Sequence, residues 1–244
     1  MQPDLSGYKL FKNQTIKEFK PLKNQGFCNI NHVVKTCSNT YLVREFKHTL
    51  VDRTFEFKVQ KKAHIKGLAP NPLLLDIQQN LMITDFCDGE HKFTLTKNEL
   101  KQLAHTLKKL HKIKVRKKPH NHKKDFKPKH KKANATLLKL KKYKKDLVFC
   151  HHDLNPKNIF FSNKIILIDW EFAGVNDRYF DLATVCVEFK LNQKDEAYFL
   201  RHYFALIPKL QLRNAYKKLE LYKILYRELY RIWMGENVPT TCPV

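Results

Sequence analysis

Glycine is scarce in this chain, 6 residues of 244, and the six are widely separated. No glycine-rich cradle of the G-x-G-x-x-G kind is therefore written into it. Acidic residues are also in deficit: 23 Asp and Glu stand against 47 Lys and Arg, for a formal charge of +24. Such an excess favours polyanions, whether nucleic acid, anionic membrane or nucleotide phosphates. The lysines are nevertheless spread along most of the chain, as on a solvated surface. The six cysteines (28, 37, 87, 150, 186 and 242) form no Cys-x-x-Cys pair and no repeating spacing. That argues against a disulfide framework or a zinc ribbon and for free thiols in a reducing cytoplasm. No apolar run approaches membrane-spanning length. Met1-Gln2-Pro3-Asp4 lacks the basic and apolar segments of a secretory leader, so the expected location is cytoplasmic. Internal repeats are missing as well. What is present, 43% hydrophobic and 12% aromatic residues, suffices for a sizeable core in one two-lobed unit or two small domains.

Residues 22 to 46 read as three short strands, entered at Leu22, continuing over Ile30 to Thr36, and then Thr40 to Phe46 after a Cys37-Ser38-Asn39 turn. Between the first two lies Gln25-Gly26-Phe27-Cys28-Asn29, which by itself is an ordinary hairpin turn. Asp52 opens a helix that Gly67 closes, with Pro70 just beyond. Phe55, Val59 and Ala63 give that helix an apolar stripe, and Glu56 places a favourable charge in its first turn. Leu73-Leu74-Leu75 and Leu81-Met82-Ile83 read as a hairpin, followed by Thr84-Asp85-Phe86-Cys87-Asp88-Gly89. Thr96 to Glu99 is a capping box that starts a helix with Leu100, Leu103, Ala104, Leu107 and Leu110 at core spacing.

From Lys112 to Lys132 the chain is basic and interrupted by proline, with Phe126 as its one aromatic. Without stacking platforms it reads as a solvated interhelical loop. Weak contact with an anionic surface is the most expected of it, and no specific nucleic-acid binding. His120, His122 and His130 lie there, but without carboxylate or cysteine partners a metal site is poorly supported. A helix over Ala133 to Lys145 follows. Beyond residue 180 the spacing predicts three more helices: one carrying Val185, Val187, Glu188 and Phe189, one from about Asn192 to Pro208, and one from about Leu210 to Met234. The last carries Leu219, Tyr222, Leu225, Leu229 and Trp233 at helical spacing, an aromatic stripe that would ordinarily be core.

The stretch with the most chemistry is His151-His152-Asp153-Leu154-Asn155-Pro156-Lys157-Asn158, with Asp169 eleven residues after the asparagine. Leu147 to Cys150 leads in as a strand, and Ile159-Phe160-Phe161 with Ile165 to Ile168 reads as a hairpin around Ser162-Asn163-Lys164. This is the spacing of a protein-kinase catalytic loop and its metal-binding aspartate. Phosphoryl transfer needs a carboxylate to orient the attacking hydroxyl and accept its proton, which Asp153 suits. It also needs oxygen ligands for Mg²⁺, which Asn158 and Asp169 suit. The expected fold is α+β, a two-lobed protein-kinase-like fold. Residues 1–89 would form a small antiparallel-sheet lobe with one helix that binds nucleotide, and residues 90–244 a larger, mainly helical catalytic lobe.

Asp169-Trp170-Glu171-Phe172-Ala173-Gly174-Val175-Asn176-Asp177-Arg178-Tyr179-Phe180-Asp181, placed after that loop, resembles the choline/ethanolamine kinase family, most of all its bacterial choline kinases. The resemblance is specific over residues 147 to 190, plausible over 22 to 89 and loose elsewhere. It implies ATP and Mg²⁺ as cofactors, Asp153 as catalytic base, and Asn158 and Asp169 as metal ligands. It implies that Arg44, braced by Glu56, contacts phosphate, with Asn29 in the covering loop and Asp85 at the hinge also on the ATP side. For the acceptor it implies Glu188 near an ammonium group, with Phe172, Tyr230 and Trp233 around it. A quaternary ammonium cannot donate hydrogen bonds, so aromatic faces and a nearby carboxylate are what would hold it. The chain departs from the family in its poor glycine loop, in Tyr230 where a tryptophan is usual, and in its short length. These departures bear on the acceptor, which could be choline, ethanolamine, thiamine or an aminoglycoside. A basic nucleic-acid-binding protein on an inactive kinase-like fold is the alternative of another class, and the presence of Asp153, Asn158 and Asp169 speaks against it.

Overall fold

A computed structural model describes residues 3–23, 25, 29–47, 51–205 and 209–237. The chain divides into two compact units, Met1–Gly89 and Glu90–Val244.

The first unit is built on a five-stranded sheet in the order β1-β2-β3-β5-β4, with every neighbouring pair antiparallel. The strands are β1 Ile16–Pro21, β2 Asn29–Thr36, β3 Thr40–Phe46, β4 Pro72–Asp76 and β5 Leu81–Asp85. The first strand lies earlier than the entry at Leu22, and Pro21, which cannot donate to a ladder, ends it. Gly26, Phe27 and Cys28 of the expected covering turn lie outside the described residues. Alternation sorts the faces of β3. Tyr41 and Val43 join Val34, Leu81, Ile83, Leu5 and Phe11 in one core, while Arg44 points to the other face. Burying each such aliphatic side chain contributes about 1.5–3 kcal/mol.

Between β3 and β4 runs α1, Arg53–Ile65. Asp52 caps it by accepting from the Phe55 N–H at 2.9 Å. Past its end the Leu68 N–H returns to the Ala63 carbonyl at 2.9 Å. Gly67, at φ 71°, makes that turn where a side chain would be strained.

The second unit contains α2 Lys97–Leu110, α3 Lys131–Leu140, α4 Tyr179–Glu188, α5 Gln193–Phe204 and α6 Lys209–Asn237. Its short strands are β6 Leu147–Cys150, β7 Ile159–Phe161, β8 Ile165–Leu167 and β9 Gly174–Asp177. The capping box of α2 forms in both directions, Thr96 with the Glu99 backbone and Glu99 with the Thr96 backbone. Leu100, Leu103, Ala104, Leu107 and Leu110 are all buried, and the helix packs on α5. The third helix stops at Leu140 rather than Lys145, since the lysine-rich segment beyond offers no further apolar stripe to bury. The fourth helix packs against the sixth, as does the third. A strand that the pattern did not announce, β9, pairs antiparallel with β6, while β7 and β8 form the expected hairpin.

Candidate active site

The loop after β6 is held mainly from one point on α4. The Asp181 carboxylate is fully buried and accepts from the backbone N–H of His151 at 2.8 Å and of His152 at 3.0 Å. His111, at the end of α2, brings Nε2 to 3.1 Å from the same carboxylate and Nδ1 to 2.5 Å from the Tyr203 hydroxyl. Burial alone would raise the Asp181 carboxyl. The hydrogen bonds from His111 and the loop amides outweigh it and hold the group below the usual carboxylate range. His151 is sealed beneath the loop against Trp170, with ring centroids 4.6 Å apart. Burial pushes its imidazole down to about 4, so at neutral pH it is an uncharged wedge.

This anchoring forces an uncommon backbone. His152 sits at φ 72° and Asp169 at φ 65°, both in the left-handed region. For residues with a Cβ that conformation costs roughly 1–2 kcal/mol. Asn158 ties the two segments together by accepting the Ile168 N–H at 3.0 Å, immediately before Asp169.

Asp153 lies between two amides. Asn155 Nδ2 donates to its Oδ1 at 2.8 Å, and Asn158 Nδ2 donates to its Oδ2 at 2.7 Å. Burial pushes its carboxyl up to about 6, and the neighbouring charges of Asp169 and Glu171 push the same way, against the two amide bonds. With its nitrogen committed to Asp153, Asn158 has its carbonyl oxygen as the atom to offer a cation. That oxygen and the Asp169 carboxylate are hard donors, the kind Mg²⁺ takes. The sequence motif thus condenses into one local cluster, and Asn155, overlooked in the sequence, is part of it.

At the end of α4, Glu188 accepts from the Tyr226 hydroxyl at 2.7 Å. Burial raises the Tyr226 phenol, and the charges of Glu188 and Asp153 add to that. Tyr226 is 6.0 Å from Phe180 and 6.4 Å from Tyr230 between ring centroids. Tyr230 is half exposed, as is Phe172, and Trp233 is partly buried one turn further along α6. Glu188 and Tyr230 therefore share a neighbour in Tyr226. In the sequence Tyr226 is one of four rings, with Tyr222, Tyr230 and Trp233, of which one helix face could line a cation site, and its bond to Glu188 was not foreseen.

In the first unit Arg44 Nη1 reaches Glu56 Oε1 at 2.8 Å, and Arg53 Nη1 reaches Glu56 Oε2 at 2.7 Å. Arg53 Nη2 also donates to Asn29 Oδ1 at 3.2 Å, and its guanidinium stacks 4.1 Å over Phe46. Two cations share one anion in a buried setting. Arg53 escaped the sequence reading although it stands three residues before Glu56, a helical neighbour. Asp85 closes β5 with its amide donating to the Asn71 carbonyl, and it is not part of this network.

Comparison with known proteins falls on the same elements. Residues 129–222 match the model of the phosphotransferase enzyme family. Protein LicA of Haemophilus influenzae is 29% identical over 118 residues, covering 43% of this chain and 35% of that protein. The match thus spans about a third of that relative's length. Among solved structures, the choline kinase LicA of Streptococcus pneumoniae superposes with a TM-score of 0.76 at 21% identity, covering 93% of this chain and 87% of that one. A choline/ethanolamine kinase family protein of Mesorhizobium loti gives 0.73 at 19% identity, covering 98% and 86%. Over residues 129–222 the chain is thus similar to the phosphotransferase enzyme family, and its fold is the protein-kinase-like, α+β fold of these choline and ethanolamine kinase structures.

Proposed function

We propose that this chain transfers the γ-phosphate of ATP to the hydroxyl of a small amino alcohol, choline before others, giving phosphocholine. The observation that carries the reading is Asp153, clamped by Asn155 and Asn158 with its carboxyl pushed up to about 6. A base poised near neutrality can accept a proton and still be ionised when the acceptor arrives. Asp153 orients the acceptor hydroxyl and takes its proton as the new O–P bond forms and the bond to ADP breaks. Asn158 and Asp169 would hold Mg²⁺, which when bound neutralises phosphate oxygens. Arg44, with Glu56 and Arg53 fixing it, suits contact with the nucleotide phosphates, and permanent bidentate charge is what that contact uses. Asn29 supports Arg53, and Asp85 belongs to the segment proposed to run past the base.

Support for a cationic acceptor comes from the Glu188–Tyr226 pair with Tyr230 beside it, a carboxylate backed by aromatic rings. We place Phe172 and Trp233 on the same acceptor side. Aromatic faces with few acceptors favour the methylated ammonium, because a primary ammonium would leave N–H donors unpaired at roughly 1–3 kcal/mol each. Ethanolamine is the second reading, since Glu188 could accept from a primary ammonium once Tyr226 turns away. Cys37, Cys150 and Cys186 are free thiols, which suits the reducing cytoplasm in which we place the enzyme. No helix among the described residues is long and apolar enough to cross a membrane. An ADP-release assay with choline, ethanolamine, thiamine and an aminoglycoside in parallel tests the proposal. Choline giving the highest kcat/KM is the expected result. Ethanolamine ahead of choline removes the substrate, and no turnover with any acceptor removes the enzyme.

A further inference from the structure

The basic stretch contains a cluster that phosphoryl transfer does not use. Its short 3₁₀ turn, His122–Lys124, folds His120, His122 and Asp125 onto one another. His120 Nε2 is 2.8 Å and His122 Nδ1 is 2.9 Å from one atom, Asp125 Oδ2. The three ligand atoms all lie within 4.8 Å of each other. The histidines at 120 and 122 thus find a carboxylate that the sequence reading overlooked, while His130 turns away and accepts the Lys127 N–H at 3.0 Å. The cluster is fixed to the fold. The His120 N–H donates to the Val175 carbonyl of β9 at 2.8 Å, and the Asn121 side chain accepts from the Lys123 N–H.

We propose that His120, His122 and Asp125 bind one divalent transition-metal ion of the zinc class, separate from the magnesium of the phosphate chemistry. Two imidazoles and one carboxylate leave an open position for water. Nitrogen donors select zinc, cobalt or nickel over magnesium. An outer layer is in place. Asn176 brings Oδ1 to 3.2 Å and Nδ2 to 3.0 Å of His122 Nε2, so this nitrogen can carry the proton or accept one whichever way Nδ1 is occupied.

A second observation comes from His152, whose ring lies edge-on to His120 with centroids 5.7 Å apart. Its Nδ1 pairs with the Phe172 carbonyl at 2.7 Å and so carries the proton. Its Nε2 is then a bare acceptor, buried and with no hydrogen-bond partner. A cation beside it, or water on that cation, would satisfy an atom that is otherwise costly to bury. Bound there, the ion would staple the 112–132 segment to β9, whose partner β6 leads directly into the Asp153 loop.

The test uses the full chain stripped with a chelator and titrated with Zn²⁺ alone by calorimetry. One equivalent should bind and raise the melting temperature. His120→Gln and Asp125→Asn should each weaken binding by about tenfold or more. No uptake by the wild-type protein overturns the site, as does unchanged affinity and stoichiometry in both variants. Should Asp125→Asn not fold, Co²⁺ absorption of the wild-type protein decides instead. Bands of nitrogen and oxygen ligation support the site. Sulfur-to-metal charge transfer would place the ion on a cysteine, as in the buried His111, Cys150 and Asp181 group, and refute it.

Discussion

Replacing Glu56 by alanine probes the buried charge network most directly. The change removes a carboxylate that Arg44 and Arg53 share at 2.8 and 2.7 Å. At the surface the loss would be small, about 0–1 kcal/mol per ion pair. Here Arg44, Arg53 and Glu56 are 8%, 6% and 1% exposed, so the guanidinium groups cannot regain full hydration when their partner goes. Breaking a buried pair in that way costs about 3–5 kcal/mol. The source of the cost can be isolated with a triple variant, Glu56→Leu, Arg44→Met and Arg53→Met, which removes the charges together with their partner. It should recover most of the loss, because the penalty comes from stranded charge rather than from a missing attraction. Hydrogen exchange of the β3 and α1 amides is the suitable readout. Both tryptophans, Trp170 and Trp233, lie in the second unit, so fluorescence would report the wrong one. A loss under about 1 kcal/mol for Glu56→Ala, in a folded protein, would refute the reasoning and return the network to the solvent-screened class.

Asp153→Ala and Asp169→Ala should each lower turnover by several orders of magnitude in folded protein, as single-turnover ADP release would measure; near-normal release from either would remove its role. Trp233→Ala should raise KM for choline about tenfold with a smaller effect on ATP, and Glu188→Gln should move KM the same way. His151, about 4 folded against 6.5 unfolded, gives a stability test with a definite sign. The unfolded chain binds the extra proton between those values, so stability is complete above pH 6.5 and falls as pH drops toward 4. Between pH 7.5 and 5 the loss from this one group is about 2 kcal/mol, visible as a lower urea midpoint; an unchanged midpoint would mean the ring is hydrated.

Much of this architecture could be read from the chain because its signals are local. The capping box at Thr96, the Asp52 cap and Gly67 stop of α1, and the β7–β8 hairpin each depend on residues within a few positions of one another. The cluster around Asp153 is just as local, since Asp153, Asn155 and Asn158 lie on one short loop, although the bond from Asn155 was not read from the sequence. What escaped depends on distant partners. The strand Gly174–Asp177 is too short to show a period, and only pairing with Leu147–Cys150 defines it. Asp181 looked like part of a motif, yet its work is to receive amides thirty and twenty-nine positions earlier in the chain. Tyr226 was one ring in a stripe until the fold set Glu188 against its hydroxyl.

Helix α4 carries both Asp181, which grips the loop bearing Asp153, and Glu188, seven residues on. Seven residues are nearly two full turns, so both side chains leave the same side of the rod, about 10.5 Å apart along its axis. The helix therefore works as a gauge. One carboxylate fixes where the loop bearing Asp153 begins, and the other, in the role proposed for it, would fix how far away a positive charge can rest. Lengthening the acceptor by a methylene, without moving either end of α4, would push its hydroxyl or its cation out of register. On the proposed function, selection by length would then be set in the backbone of one helix, and it would survive changes to the aromatic rings around it.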